Sequence, residues 1–302
     1  MKSIFKQLAL AGAIAVAFAT PAAAAVSSSA AITDFSVTLF DLNPGDGISP
    51  TLTWTDPYGY YAGSYTYAYT YDSNGYGLTG YASNWAALGS GNGSSATLPQ
   101  ATATATVASS AQTLTPSGIL SASGNAYATP TSGTTTYVAN AYEPYYNYTS
   151  FMLSANTLAV FSATAVTHAT TTVGYDWTAG QSESASASAS LNVNGQGASG
   201  NGSQSSYDTT SSYASYVYDG YTFDPVSGSY QYNYLPMSTT STATLAGSFV
   251  NTSMGDLTGH MYLAVQASGS TNVVAVPEPE SFAMLLAGLG IIGAIARRRQ
   301  SR

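Results

Sequence analysis

The chain has no cysteine, which excludes both a disulfide framework and a thiolate metal site. Basic residues are almost as scarce. All six stand at the ends, as Lys2, Lys6, Arg297, Arg298, Arg299 and Arg302, so residues 26–276 hold no lysine or arginine. The long middle is therefore anionic, with acids scattered from Asp34 to Asp256 and no cation to form an ion pair with them. Phosphate neutralisation needs Lys or Arg, so nucleic acid and anionic lipid surfaces are excluded as partners. Histidine is nearly absent too: His168 and His260 are the only two, both in strand-like runs. Roughly 250 residues can still bury a sizeable core without disulfides, and no Pro/Gly-rich linker divides them.

What the middle does have is tyrosine, 25 residues in the chain, set among serine, threonine, alanine and glycine. Apolar or aromatic residues alternate with small polar ones, the two-residue period of a strand. Phe35, Val37 and Leu39 alternate with Ser36 and Thr38, while Tyr65, Tyr67, Tyr69 and Tyr71 alternate with Thr66, Ala68 and Thr70. Residues 101–107 and 182–193 repeat the pattern, 158–166 reads as a central strand and 261–265 as a last buried strand, and Gly/Asn/Pro clusters such as Asn43-Pro44-Gly45, Gly91-Asn92-Gly93 and Asn194-Gly195 read as turns between them. The expected fold is all-β, an antiparallel β-sandwich or jelly-roll-like domain over residues 26–275.

Two unlike segments flank it. Residues 1–25 carry Lys2 and Lys6, an apolar core from Leu8 to Phe18, and small residues to Ala25, the build of an export signal helix. Signal peptidase is expected to cut after Ala25, with Ala23 and Ala25 as its small-residue determinants. Residues 276–302 run Val276-Pro277-Glu278-Pro279, an apolar stretch from Phe282 to Ala296, then Arg297, Arg298 and Arg299. The prolines keep Glu278 on an extended backbone. The apolar stretch as a helix spans roughly 22 Å, short of a ~30 Å hydrocarbon core, a deficit that snorkelling arginines and local thinning cover. The arginines then stay cytoplasmic and everything before them lies outside.

That order of Pro-Glu-Pro, apolar helix and arginine cluster resembles the PEP-CTERM sorting signal of Gram-negative bacteria. The resemblance covers about the last tenth of the chain. It implies an exosortase as partner, transient anchoring in the inner membrane through the C-terminal helix, and a final place on the cell surface or in the extracellular matrix. It further implies a structural role in association with exopolysaccharide, biofilm or floc.

Candidate chemistry within the middle is sparse. Tyr65, Tyr67, Tyr69 and Tyr71 share one face of a strand, as do Tyr230, Tyr232 and Tyr234, and Trp85 lies in a Gly-rich stretch. Such rows can stack on sugar rings; equally they can fill a core through cross-strand pairs. The core alternative is the expectation here, and it implies a loss of about 3 kcal/mol for Tyr67→Ala or Tyr232→Ala. The Ser/Thr rows read either as a charge-free solvent face or as an ice-binding or O-glycosylated surface. The stretch from Asp41 to Gly47 fails the calcium-loop register, with Gly45 and Asp46 exchanged, and reads as a turn, so no metal site is expected. No Gly-x-Ser-x-Gly elbow occurs. Glu143 and Glu183 are the only pair of glutamates available for glycoside hydrolysis; both read as solvated, so no catalytic residue and no cofactor is assigned.

Overall fold

The computed structural model describes residues 24–273 except 56–62, 74–76, 110–115, 117, 129–132, 144–149, 177–179, 198–201 and 227. These residues form 17 strands, numbered in chain order, and no helix. Both expected flanking helices lie outside the described residues.

One sheet has six strands in the order β16 (Ser238–Asn251), β10 (Thr157–Thr171), β1 (Ala25–Asp41), β7 (Leu120–Tyr127), β6 (Ala101–Val107) and β5 (Asn92–Leu98). The second runs β13 (Ser203–Ala214), β12 (Gln181–Gln196), β17 (Leu257–Val273), β8 (Gly133–Glu143), β3 (Ser64–Asp72) and β4 (Leu78–Ala86). Short strands extend it: β11 (Tyr175–Asp176) beside β12, β9 (Ser150–Leu153) beside β17, and β2 (Leu52–Thr55) beside β9. All pairings are antiparallel. The sheets pack face to face strand over strand, from β16 against β13 to β5 against β4. This is a sandwich but not a jelly roll, since β5, β6 and β7 form a plain meander within one sheet. A separate hairpin, β14 (Tyr216–Asp224) with β15 (Ser229–Pro236), stands off one end.

Alternation decides which side chains enter the sandwich, and the inward ones are mostly small. Ala101, Ala103 and Ala105 of β6, Ala185, Ala187 and Ala189 of β12, and Ala159, Ala163 and Ala165 of β10 are all buried. Large residues gather at one end, where Phe151 packs against Phe161 at 5.2 Å and Phe249 at 5.3 Å, with Trp54 edge-on at 5.7 Å. Two irregularities make this fit. Strand β1 bulges between Thr33 and Ser36, with Asp34 at φ 54°, so its inward positions switch from Ala30 and Ile32 to Phe35, Val37 and Leu39. Gly195, expected in a turn, lies inside β12, where a Cβ would come within 2.7 Å of the Phe249 ring.

Among the described residues Tyr137 is the one large ring buried in the alanine region. It projects from β8 toward the other sheet, over Gly269, its cross-strand partner, and against Gly124 of β7. A side chain at either glycine would overlap the ring. The phenol meets Ser28 Oγ of β1 at 2.7 Å, and Ser28 also donates to the Ser268 carbonyl at 3.1 Å.

The β16 edge is closed by side chains rather than by another strand. The Gln204 amide donates to the Val250 carbonyl at 2.7 Å and accepts from its N–H at 3.0 Å, and Asp208 accepts the Ala246 N–H at 3.0 Å. This blocks a row of backbone groups that would otherwise pair with another chain. Gln204→Ala should therefore raise self-association, read as growth of larger species by light scattering, with little change in far-UV dichroism.

Burial pushes the Tyr137 phenol well above the usual tyrosine range, only partly offset by its bond to Ser28. The neutral form is favoured in the fold, so the associated stability is complete below about pH 10, the unfolded value, and is lost as pH rises toward the folded one. Tyr137→Phe should cost about 1 kcal/mol at neutral pH yet move the alkaline unfolding midpoint upward. An unchanged alkaline midpoint would refute the assignment.

Candidate functional site

The tyrosine rows are outside, contrary to the core expectation. In β3 the inward residues are Ser64, Thr66, Ala68, Thr70 and Asp72, all buried, while Tyr65, Tyr67, Tyr69 and Tyr71 point away from the sandwich and are half-buried. An alanine-lined interior has room for methyl and hydroxyl groups at these positions, and the rings take the other face.

On that outer face the rings line up across neighbouring strands. Trp85 of β4, not in a loop but paired with Tyr65, lies 4.4 Å from its ring. Tyr65 stacks on Tyr142 of β8 at 6.2 Å and 14°, and Tyr142 on Tyr262 of β17 at 5.9 Å and 22°. Tyr67 meets Tyr81 edge-on at 5.5 Å. The phenols of Tyr65 and Tyr67 lie above their ordinary range, first because packing strips them of water, then because the Tyr81 phenolate would repel theirs. Sequence spacing marks the β3 row but not Tyr142 or Tyr262, because only the strand register brings these into line.

The hairpin repeats the theme with greater exposure. Tyr218 faces Tyr234, Tyr221 faces Tyr232 and Phe223 faces Tyr230, with a bulge between Tyr218 and Tyr221. The bulge keeps β14's rings on the same side as those of β15, although Tyr218 and Tyr221 are three apart. Gly220 supplies its backbone at φ 85°, which other residues adopt at a cost. Tyr221, Tyr230 and Tyr232 are 62%, 59% and 59% exposed. At the base, Tyr216, Tyr234 and Tyr175 of β11 cluster at 4.9–5.4 Å. The Tyr234 phenol lies above its ordinary range, first through lost hydration and then through the neighbouring phenols of Tyr216 and Tyr175.

Glu183 anchors this base. It is buried, not solvated, and its carboxylate accepts the N–H groups of Thr172, Val173 and Gly174 at 2.8, 2.9 and 2.9 Å. Met237 N–H, just past β15, donates to Thr171 Oγ1 at 2.9 Å, so both ends of the connection are held.

Glu143 is also buried, but it lies opposite Leu263 of β17, whereas Glu183 lies opposite Thr271. Eight steps along one strand separate them by about 26 Å, several times the spacing of paired glycosidase carboxylates. His168 Nδ1 bonds Thr240 Oγ1 at 2.9 Å and His260 Nδ1 bonds Ser150 Oγ at 3.1 Å, each beside a hydroxyl rather than a carboxylate. The Asp41 loop is a turn closed from Asp46 N–H to the Asn43 carbonyl at 3.1 Å. Asp46 lies below its ordinary range because Ile48 N–H and then Asn156 donate to it. Among the described residues no group of three or more His, Asp or Glu could hold a metal ion.

The six-stranded sheet carries the threonine face. Thr102, Thr104 and Thr106 are exposed on β6, but Thr102 bonds Asn125, Thr106 bonds Ser121 at 2.6 Å, and Thr104 meets Ser95 at 3.4 Å. These hydroxyls are taken up by polar side chains of the neighbouring strands. Ala31 and Val166 interrupt the rows.

Val276, Pro277, Glu278, Pro279, Arg297, Arg298, Arg299 and Ala23 lie outside the described residues. Ala25 opens β1, and its N–H donates to Thr172 Oγ1 at 2.8 Å, while the Ala24 carbonyl accepts the Ala128 N–H at 2.8 Å. A cut after Ala25 would remove both bonds. Among the described residues no helix is long and apolar enough to cross a membrane.

Residues 275–300 match the family model described as the PEP-CTERM protein-sorting motif. The chain thus carries a PEP-CTERM sorting motif, the mark of an exosortase substrate. No curated protein and no solved structure matches it.

The outward rings make a stability test. Tyr232→Ala should shift stability by about 0.5 kcal/mol or less, and Tyr67→Ala, half-buried against Tyr81, by about 1 kcal/mol. A denaturant melt showing a loss near 3 kcal/mol for either would return these rings to the core.

Proposed function

We propose that this chain is an exported structural protein of the cell surface or extracellular matrix, held among exopolysaccharide. The observation that carries the reading is the sorting motif at residues 275–300. The Pro-Glu-Pro segment brings the chain to an exosortase, the apolar stretch holds it in the inner membrane meanwhile, and residues 1–25 direct export and are removed by signal peptidase. The chain's charge supports the rest. With no Lys or Arg between residues 26 and 276, anionic polymers are repelled, and recognition falls to rings and hydroxyls. The reading assigns no catalytic step.

Ice binding finds less support, because the threonines of β6 spend their hydroxyls on Asn125, Ser121 and Ser95 of the neighbouring strands.

Alanine at Pro277, Glu278 and Pro279 should leave the chain inserted but unprocessed. It should then stay with the inner membrane, where the wild type reaches the surface or medium. Mass spectrometry of both forms from the native host checks this, and identical C-terminal masses with identical fractionation would sink the reading.

A further inference from the structure

We propose that the groove between β11 and the edge strand β15 is a binding site for an uncharged polysaccharide chain. The proposal rests on the polysaccharide association above and names the place and the class of polymer. The groove has a volume of about 1060 Å³, and its walls include Tyr175, Tyr230, Tyr232 and Tyr234 together with Asp176 and Asp219.

Three observations converge on it. The first is exposure outside the core. Tyr230 and Tyr232 are each 59% exposed on a two-stranded hairpin outside the core, and an exposed aromatic cluster of this kind marks an interaction surface. The second is support. Glu183 gathers three backbone N–H groups beside β11, Tyr175 packs on Tyr234 at 5.1 Å, and the bulge at Gly220 keeps the rings on one side. The walls of the groove are thereby held in place before any ligand arrives, which lowers the ordering cost of binding.

The third observation is charge, and it selects the occupant. Two aspartates line the groove, and among the described residues there is no Lys or Arg to offset them. A polyuronate, a sulfated glycan, a nucleic acid or an anionic lipid surface meets repulsion there. A neutral polysaccharide offers apolar ring faces for the tyrosines and hydroxyl donors for the carboxylates. Phenol rings match that pairing, being apolar on the face and hydrogen-bonding at the rim.

The test uses the full chain in detergent micelles, run through native gels containing hydroxyethyl cellulose as the neutral probe or alginate as the polyuronate. The wild type should be retarded by the first polymer and not by the second. Tyr230→Ala with Tyr232→Ala should weaken retardation at least tenfold, with far-UV dichroism unchanged. Tyr67→Ala with Tyr81→Ala, on the sandwich face, should leave it within twofold. Asp219→Asn should keep neutral binding and reduce the exclusion of alginate.

Retardation that survives in the hairpin variant but falls in the sandwich variant would overturn this site while leaving the polysaccharide reading intact. Equal retardation by alginate would overturn the selectivity and with it the proposal. No retardation by either polymer, the result expected if the groove instead takes a peptide strand, would also overturn it. If the wild type in addition failed to fractionate with the host's polysaccharide, the broader reading would fall too.

Discussion

The narrow interior of the sandwich governs much of the rest of the structure. Stacked sheets are separated by whatever their inner faces carry, and here those faces carry alanine, serine and threonine along most of their width. Methyl groups meeting methyl groups leave little space for a ring. Tyr137 enters the alanine region only where Gly124 and Gly269 have given up their side chains. The phenylalanines enter at the end where Gly195 and Gly259 do the same. The remaining aromatics on these strands are pushed outward, so the exterior chemistry follows from the choice of interior.

The missing cations shape the polar interactions in a similar way. A carboxylate within residues 26–276, where there is no lysine or arginine, must be satisfied by neutral donors, and backbone N–H groups are the most abundant. Glu183 takes three of them, Asp208 takes one from the exposed β16 edge, and Asp46 takes that of Ile48. Each bond fixes a turn, an edge or a connection, so the acids serve as structural ties. Such ties do not depend on ion pairing.

Much of this was legible in the sequence. The alternation over residues 101–107, 182–193 and 158–166 gave real strands, and β10 does lie inside its sheet. What alternation could not decide was which face turns inward. In Tyr65 to Tyr71 both faces are tolerable inside, one large and aromatic, the other small, and the usual preference for burying the large one failed because the opposing sheet presents alanine. The solvated reading of Glu183 failed for a related reason: its Ser-Ala surroundings look like a surface, but the donors that hold it come from residues 172–174, on a separate turn. Tyr142 and Tyr262 could not be placed in the ladder, since register between distant strands is absent from local spacing. The sorting tail needed no fold, because its three pieces are contiguous and carry their chemistry in order.

An outer surface rich in rings ought to be prone to association, and the fold limits this by position. The outward rings lie on sheet faces and on the hairpin, and most carry a hydroxyl, with Phe40, Phe223 and Trp85 lacking one, while the β16 edge, where another chain could add by backbone pairing, is capped by Gln204 and Asp208. The net charge of −8 adds long-range repulsion between copies. Face contacts through phenols are weak singly and reversible, whereas edge contacts grow into extended sheets. A protein whose aromatic faces are open and whose β16 edge is capped is suited to many weak contacts with a hydroxyl-rich polymer, and poorly suited to adding strands at that edge.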